Sequence, residues 1–118
     1  MTIASQPSGT VRVARQVLST IVIHSALLIP GVVRMANPVR SAQRYGQWSH
    51  LLKRELPPQG VSLTIKDNTV TADLYIVVES DADMLAVGSA VQEEVSAALE
   101  EMVGMQVEAV NVYIQDVA

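Results

Sequence analysis

The chain has 118 residues, of which 49% are hydrophobic and only 3% aromatic, and it contains no cysteine. This length fits one domain with an aliphatic core. The lack of cysteine excludes disulfides and thiolate metal sites.

The net charge of −4 conceals an uneven distribution. All eight basic residues precede Asp67, whereas only Glu55 of the twelve acidic residues does, so residues 1–66 carry +7 and residues 67–118 carry −11. Such a split can be balanced inside the fold, between subunits, or by an anionic partner on the basic half. We expect internal balance within one compact domain.

The N-terminal residues 1–9 are rich in Ser, Gln, Pro and Gly, and we expect a flexible tail there. A single domain is predicted over residues 10–118. Its first element is a candidate short strand from Thr10 to Val13.

A helix is predicted from Arg15 to the break at Pro30-Gly31. Its apolar stripe is predicted on the positions at helical spacing, with Leu18, Ser25 and Ala26 beside them: Val17, Ile21, His24 and Leu28. The apolar run from Val17 to Val33 is too short and too polar to span a membrane, so a cytoplasmic protein is expected.

The segment after this helix begins with a candidate extended piece at Val32, Val33 and Met35. Asn37 to Pro58 is basic and polar, and Gln43 to Glu55 is a candidate helix on which Trp48 covers the core. The basic residues form a candidate patch for an anionic partner such as nucleic acid or anionic lipid: Arg34, Arg40, Arg44, Lys53 and Arg54.

Gly60 to Glu79 predicts a β-hairpin, because apolar residues alternate on both sides of a polar break. A two-residue loop at Asp67-Asn68 pairs Ile65 with Val70, Leu63 with Ala72 and Val61 with Leu74. Every apolar side chain then lies on one face, and a shift of one residue would mix the faces.

A second helix is predicted to begin at an N-cap of Ser80 or Asp81 and to end at Gly104. Its buried stripe is predicted from the three- and four-residue spacing of Met84, Val87, Val91, Val95, Ala98, Leu99 and Met102. A strand follows from Gln106 to Val117, with a bulge or bend at Glu108-Ala109, where the two-residue period breaks.

These elements predict an α+β fold, in which a small mixed sheet carries two main helices on one face. The sheet consists of the hairpin, the C-terminal strand and short N-terminal strands. The face that contacts the helices is predicted to bear Leu63, Ile65, Leu74, Ile76, Val112 and Ile114. The opposite face bears the candidate contact surface, unless a helix or the segment from Asn37 to Pro58 covers it: Asp73, Tyr75, Val77, Asn111 and Tyr113.

The residue patterns offer no case for an enzyme. His24 and His50 belong to no metal-ligand spacing, and no nucleophile or nucleotide-binding motif is present. The paired carboxylates Glu93-Glu94 and Glu100-Glu101 are neighbours on a helix, so they diverge instead of converging on a substrate. No catalytic residue, metal or cofactor is therefore predicted.

Several segments together resemble the bacterial alkaline-shock, or envelope-stress-response, protein family. They are Ala26 to Val32, Gly60 to Leu63, Ala72 to Glu79, Val91 to Val95, Ala98 to Met105 and Val110 to Val112. Ser80-Asp81 and Val103 stand where that family commonly has Tyr-Gly and Thr. The resemblance implies a small non-enzymatic cytoplasmic protein of cell-envelope homeostasis, some of whose relatives self-associate and are held at the membrane by an anchor protein.

The function expected from the residues and the resemblance is structural. The protein self-associates as a homo-oligomer and docks to an envelope-associated partner, without inserting into the membrane itself. The alternative is a nucleic-acid-binding module that uses the basic residues between Arg34 and Arg54, whose binding would weaken steeply with salt.

Overall fold

The computed structural model of the protein describes residues 2–6, 9–37 and 59–118. Their elements in chain order are β1 (Thr2–Gln6), β2 (Gly9–Arg12), α1 (Arg15–Leu27), β3 (Val32–Met35), β4 (Val61–Lys66), β5 (Thr69–Val78), α2 (Met84–Ala98) and β6 (Gln106–Val117). One π-helical turn, Leu99–Val103, follows α2 directly. The candidate helix from Gln43 to Glu55, including Trp48, lies outside the described residues.

β5 is the central strand of the main sheet. It pairs antiparallel with β4 through Thr69 to Leu74 and with β3 through Ile76 to Val78. β6 pairs with it in parallel along its whole length. Because a strand has only two sides, β3 and β4 share one side of β5 and β6 takes the other.

The predicted hairpin is confirmed in every pair. Ile65 lies opposite Val70, Leu63 opposite Ala72, and Val61 opposite Leu74. The turn is at Asp67-Asn68, where Asp67 has a φ of 57°. Asp tolerates this left-handed conformation better than most residues, which is why two residues suffice for the loop.

The predicted bulge in the C-terminal strand is also confirmed. Val70 pairs with Val107, but Thr71 pairs with Ala109, so Glu108 is the additional residue. A second bulge leaves out Gln115, between the partners of Ile76 and Val77. The alternation of residue types does not predict this second bulge.

Gly60 allows β3 and β4 to meet end to end beside β5. Its φ is +80°, and a Cβ there would lie 2.6 Å from the carbonyl oxygen of Ala36 and 2.9 Å from that of Tyr75. The backbone N–H of Tyr75 donates to the Gly60 oxygen, and that of Ala36 donates to the Tyr75 oxygen. Only glycine fits so close an approach at this φ.

Helix α1 has the predicted extent, but the predicted stripe was wrong by one residue. The side chains buried on α1 are Leu18, Val22, Ser25 and Ala26, whereas Val17, His24 and Leu28 are exposed. Apolar residues occupy most positions of this helix, so periodicity alone did not separate two adjacent stripes. Ser25 is buried without cost to hydrogen bonding, because its hydroxyl donates to the carbonyl oxygen of Ile21.

Helix α2 begins later than predicted, and at its end Val103 is buried in place of Met102. Asp83 is the N-cap and accepts a hydrogen bond from the Ala86 N–H, whereas Ser80 donates its N–H to the Ala118 oxygen and so continues the sheet. The wider π-helical turn shifts the helix face by about one residue. Val103 is consequently buried, and Met102 is 68% exposed.

Both helices pack on one face of the sheet, which confirms the predicted α+β fold. The core is aliphatic, and the six sheet residues predicted to contact the helices belong to it or pack against it. The Arg15 guanidinium donates to the carbonyl oxygen of Leu63, which ties the start of α1 to β4. Among the described residues, β1 and β2 form a separate antiparallel pair, so β1 occupies part of the predicted tail.

The buried face of α1 can be tested with two leucines that differ in exposure. Leu18 is fully buried, whereas Leu28 is 60% exposed. We expect Leu18→Ala to lower the free energy of unfolding by about 2–5 kcal/mol. Leu28→Ala is expected to stay within about 0.5 kcal/mol of the wild type. Urea denaturation measures both free energies of unfolding. Equal losses would support the predicted stripe of Val17, Ile21, His24 and Leu28 instead.

Two glycines are expected to respond to alanine with opposite signs. Gly60→Ala should lower the free energy of unfolding by more than about 1 kcal/mol, because the alanine Cβ meets two backbone oxygens at an unfavourable φ. Gly88 lies in α2, and beyond its chain neighbours and the helix backbone no atom lies within 4 Å of an added Cβ. Gly88→Ala should raise the free energy of unfolding by about 0.5–1 kcal/mol. Urea denaturation again provides the measurement, and a neutral Gly60→Ala would contradict the close approach at this junction.

Candidate interaction surface

The sheet face opposite the helices, here called the open face, collects residues from all four strands. Asp73 and Tyr75 of β5 lie beside Asn111 and Tyr113 of β6, which are their register partners. Residues paired across neighbouring strands point to the same face. The parallel pairing of β5 with β6 therefore brings together two pairs of residues, and the two members of each pair are 38 positions apart in sequence.

Tyr75 and Tyr113 form an aromatic pair on the open face. Their ring centroids are 4.9 Å apart and their planes are inclined by 18°. Tyr75 is half-buried, whereas Tyr113 is 43% exposed. The Tyr113 ring therefore presents an aromatic surface, and the stacked Tyr75 ring holds it in place.

A polar pair lies next to this stack. The Asn111 side-chain amide donates to the Asp73 carboxylate over 2.8 Å, and the Thr71 hydroxyl donates to the Glu108 carboxylate over 3.4 Å. These bonds connect β5 to β6 on the solvent side, where Asn111 and Glu108 are exposed. Hydrogen bonds to a carboxylate restrict side-chain rotation, so the polar part of the surface is ordered.

The structure places four of the five predicted contact residues together, and Val77 differs from them. Val77 lies on the same face, but it is only 3% exposed, so its side chain offers little area to a partner. Arg34 is the register partner of Val77 and is exposed at the β3 end of this face. The other four residues of the predicted basic patch lie outside the described residues: Arg40, Arg44, Lys53 and Arg54.

The described part of the chain contains no group of three His, Asp or Glu side chains that could hold a metal ion. His24, placed on the buried stripe of α1 by its spacing, is exposed. Within the same ranges, no helix has the length and apolar character needed to cross a membrane.

A second surface was not predicted. It is a groove of about 380 Å³ between α2 and β6, here called the β6 groove, and no charged residue lines it: Met84, Leu85, Gly88, Ser89, Gln92, Val112 and Ile114. Leu85 is 81% exposed and Met84 is 44% exposed. One sequence signal was available, because Leu85 lies outside the three- and four-residue spacing of Met84, Val87 and Val91.

Comparisons with known sequences connect the chain to one family. A model of the alkaline-shock protein family, a family of cell envelope-related function, matches residues 4–118. The uncharacterized protein Spy1614 of Streptococcus pyogenes serotype M6 is 32% identical, over 92% of this chain and 88% of that protein. The uncharacterized protein YloU of Bacillus subtilis is 25% identical over the same shares of the two chains.

Comparisons with solved structures show a shared fold. A manganese form of the MamM CTD is similar with a TM-score of 0.52 and 14% identity, over 87% of this chain and 99% of that one. A zinc form of the MamM CTD has a TM-score of 0.51 and 13% identity, over 86% of this chain and 84% of that one. At this identity the likeness concerns the fold alone.

The tyrosine pair can be tested by a double-mutant cycle on stability. We expect Tyr75→Leu and Tyr113→Leu to be non-additive, with a coupling of about 0.5–1.5 kcal/mol from the aromatic stack. Tyr113→Leu combined with Val17→Ala is the control, because Val17 lies on α1 across the sheet, and that pair should add within about 0.5 kcal/mol. Additive losses for the two tyrosines would show that the stack contributes nothing to stability.

Proposed function

The chain belongs to the alkaline-shock protein family, of cell envelope-related function, and from that premise we propose that it is a non-enzymatic interaction protein of envelope stress response or homeostasis. It acts by self-association and by docking to an envelope-associated partner from the cytoplasmic side. One observation carries this proposal: within the described residues, the helices cover one face of the sheet, while the other presents an aromatic stack and a hydrogen-bonded polar pair.

The composition of the open face supports a binding role. Tyrosine is enriched at protein interfaces because its ring buries a large area while its hydroxyl still finds a polar partner. Tyr113 is held against Tyr75, and Asn111 is held by Asp73, so little side-chain entropy remains to be lost on binding. Asp73 is the carboxylate at the centre of this face, and its bond to Asn111 suits recognition better than acid–base chemistry.

The acidic half of the chain supports docking to a basic partner. Residues 67–118 carry −11 and include β5, α2 and β6. A basic segment of an anchor protein is therefore a suitable ligand for this half of the chain.

Self-association is tested by multi-angle light scattering of the full chain over a range of concentration and salt. We expect a mass above that of the 12.7 kDa monomer that increases with concentration. A strict monomer at the highest concentration and at every salt concentration would contradict this half of the proposal.

Docking is tested by capturing membrane-fraction proteins of the native host on the immobilised chain. Tyr113→Ser should release the partner, because it removes the exposed aromatic ring. Met102→Ser is the matched control, since Met102 is 68% exposed at the end of α2 and lies off the open face. Equal capture by wild type and Tyr113→Ser would remove the open face from the proposal.

A further inference from the structure

The side of β6 that faces away from β5, here called its outer edge, carries backbone groups that no described strand pairs with. The Gln106 N–H donates to the Asn68 oxygen, and the Ala118 N–H donates to the Val78 oxygen. Alternate residues of a strand bond to the same neighbour. Between the two bulges, Asn111 and Tyr113 therefore bond to β5, while Val110, Val112 and Ile114 direct their N–H and C=O groups outward.

A side chain of α2 marks this edge. The Gln92 amide donates to the Val110 oxygen over 3.1 Å, which agrees with an outward carbonyl at that position. No strand in the described ranges pairs with the outward groups of Val112 and Ile114. An open strand edge is a template for pairing with another chain unless charges, proline or a covering element block it.

We propose that the outer edge of β6 and the β6 groove form a two-fold interface with a second copy of this chain, in which the two β6 strands pair antiparallel about Val112. This rests on the self-association proposed above and names its surface. The result is one continuous sheet across both copies, with the two α2 helices side by side over the junction.

The order of the outward groups favours a second copy as the occupant. With the axis at Val112, Val112 lies opposite its own equivalent, and Val110 lies opposite Ile114 in both directions. This register uses all three outward residues, whereas an axis at Asn111 or Tyr113 uses only two. The Val110 oxygen keeps its bond from Gln92 in this pairing, because a carbonyl oxygen has two lone pairs. The bulges at Glu108 and Gln115 limit the pairing to this stretch at both ends.

The charge distribution also suits two identical surfaces. None of the seven residues that line the β6 groove is charged, although residues 67–118 carry −11. Two copies can therefore meet there without burying an unpaired charge. Small residues at Gly88 and Ser89 let the two helices approach closely, and the exposed side chain of Leu85 gains burial.

The same geometry predicts how salt acts. Glu108 and Asp116 lie just beyond the two ends of the paired stretch, so carboxylates of both copies flank the junction on both sides. Raising NaCl from about 10 mM to about 1 M shortens the Debye length from roughly 30 to 3 Å and should strengthen the dimer. Association driven by the +7 and −11 halves would weaken over that range instead.

Sedimentation of the full chain and two variants tests the surface. Leu85→Glu places a carboxylate in the groove of both copies, while its position in the first turn of α2 leaves the helix stable. We expect the dimer dissociation constant to rise by at least about tenfold. Val17→Glu is the control, because it makes the same change at an exposed position in the first turn of α1, and it should leave the constant unchanged.

Cysteine crosslinking tests the register, since the natural chain has no cysteine. The axis at Val112 places Asn111 opposite Tyr113 of the other copy as a non-hydrogen-bonded pair, with Cα atoms about 4.5 Å apart, within disulfide range. A mixture of Asn111→Cys and Tyr113→Cys should therefore crosslink faster under mild oxidation than either variant alone.

The outcomes separate this interface from the proposal on which it depends. If Leu85→Glu self-associates as strongly as the wild type, the β6 interface is overturned. Self-association itself is left intact in that case. No excess crosslinking in the mixture would overturn the register. A monomeric wild type would overturn both proposals. If Leu85→Glu then also failed to capture membrane-fraction proteins, the β6 groove would be assigned to another protein.

Discussion

The pairing of β5 on both of its sides is the interaction on which the rest of the structure depends. β3 and β4 share one side, and β6 takes the other in parallel. Gly60 makes the shared side possible because its missing side chain leaves room for two backbone oxygens. The helices then cover a single face, since the residues of β5 alternate between a buried aliphatic row and a partly exposed one.

The parallel pairing of β5 with β6 also creates the open face. It sets Tyr75 beside Tyr113 and Asp73 beside Asn111, so one ladder supplies both an aromatic stack and a polar pair. An ordered surface of this kind costs little entropy to bury, which suits a protein that works by contact. Membership of a family with cell envelope-related function gives the proposed contact a biological setting.

The outer edge of β6 connects the fold to assembly. Natural sheets usually protect a long edge strand, and here the two bulges and the Gln92 side chain protect its ends and one carbonyl. Val112 and Ile114 are left between them, beside an uncharged groove. The open face and this edge are different surfaces of the same strand, so one subunit can hold a partner on the face while pairing with a second copy at the edge.

The sequence by itself determined the local features, because they follow from period and from residue conformation: the hairpin register, the turn at Asp67-Asn68, the bulge at Glu108 and the assignment of sheet residues to two faces. It also carried the family resemblance. Only the tertiary structure decided which stripe of α1 is buried, because that helix is apolar around most of its circumference. The π-helical turn that exposes Met102, the burial of Val77 and the position of β6 at the edge of the described sheet likewise depend on which elements become neighbours. A one-dimensional pattern does not contain that information.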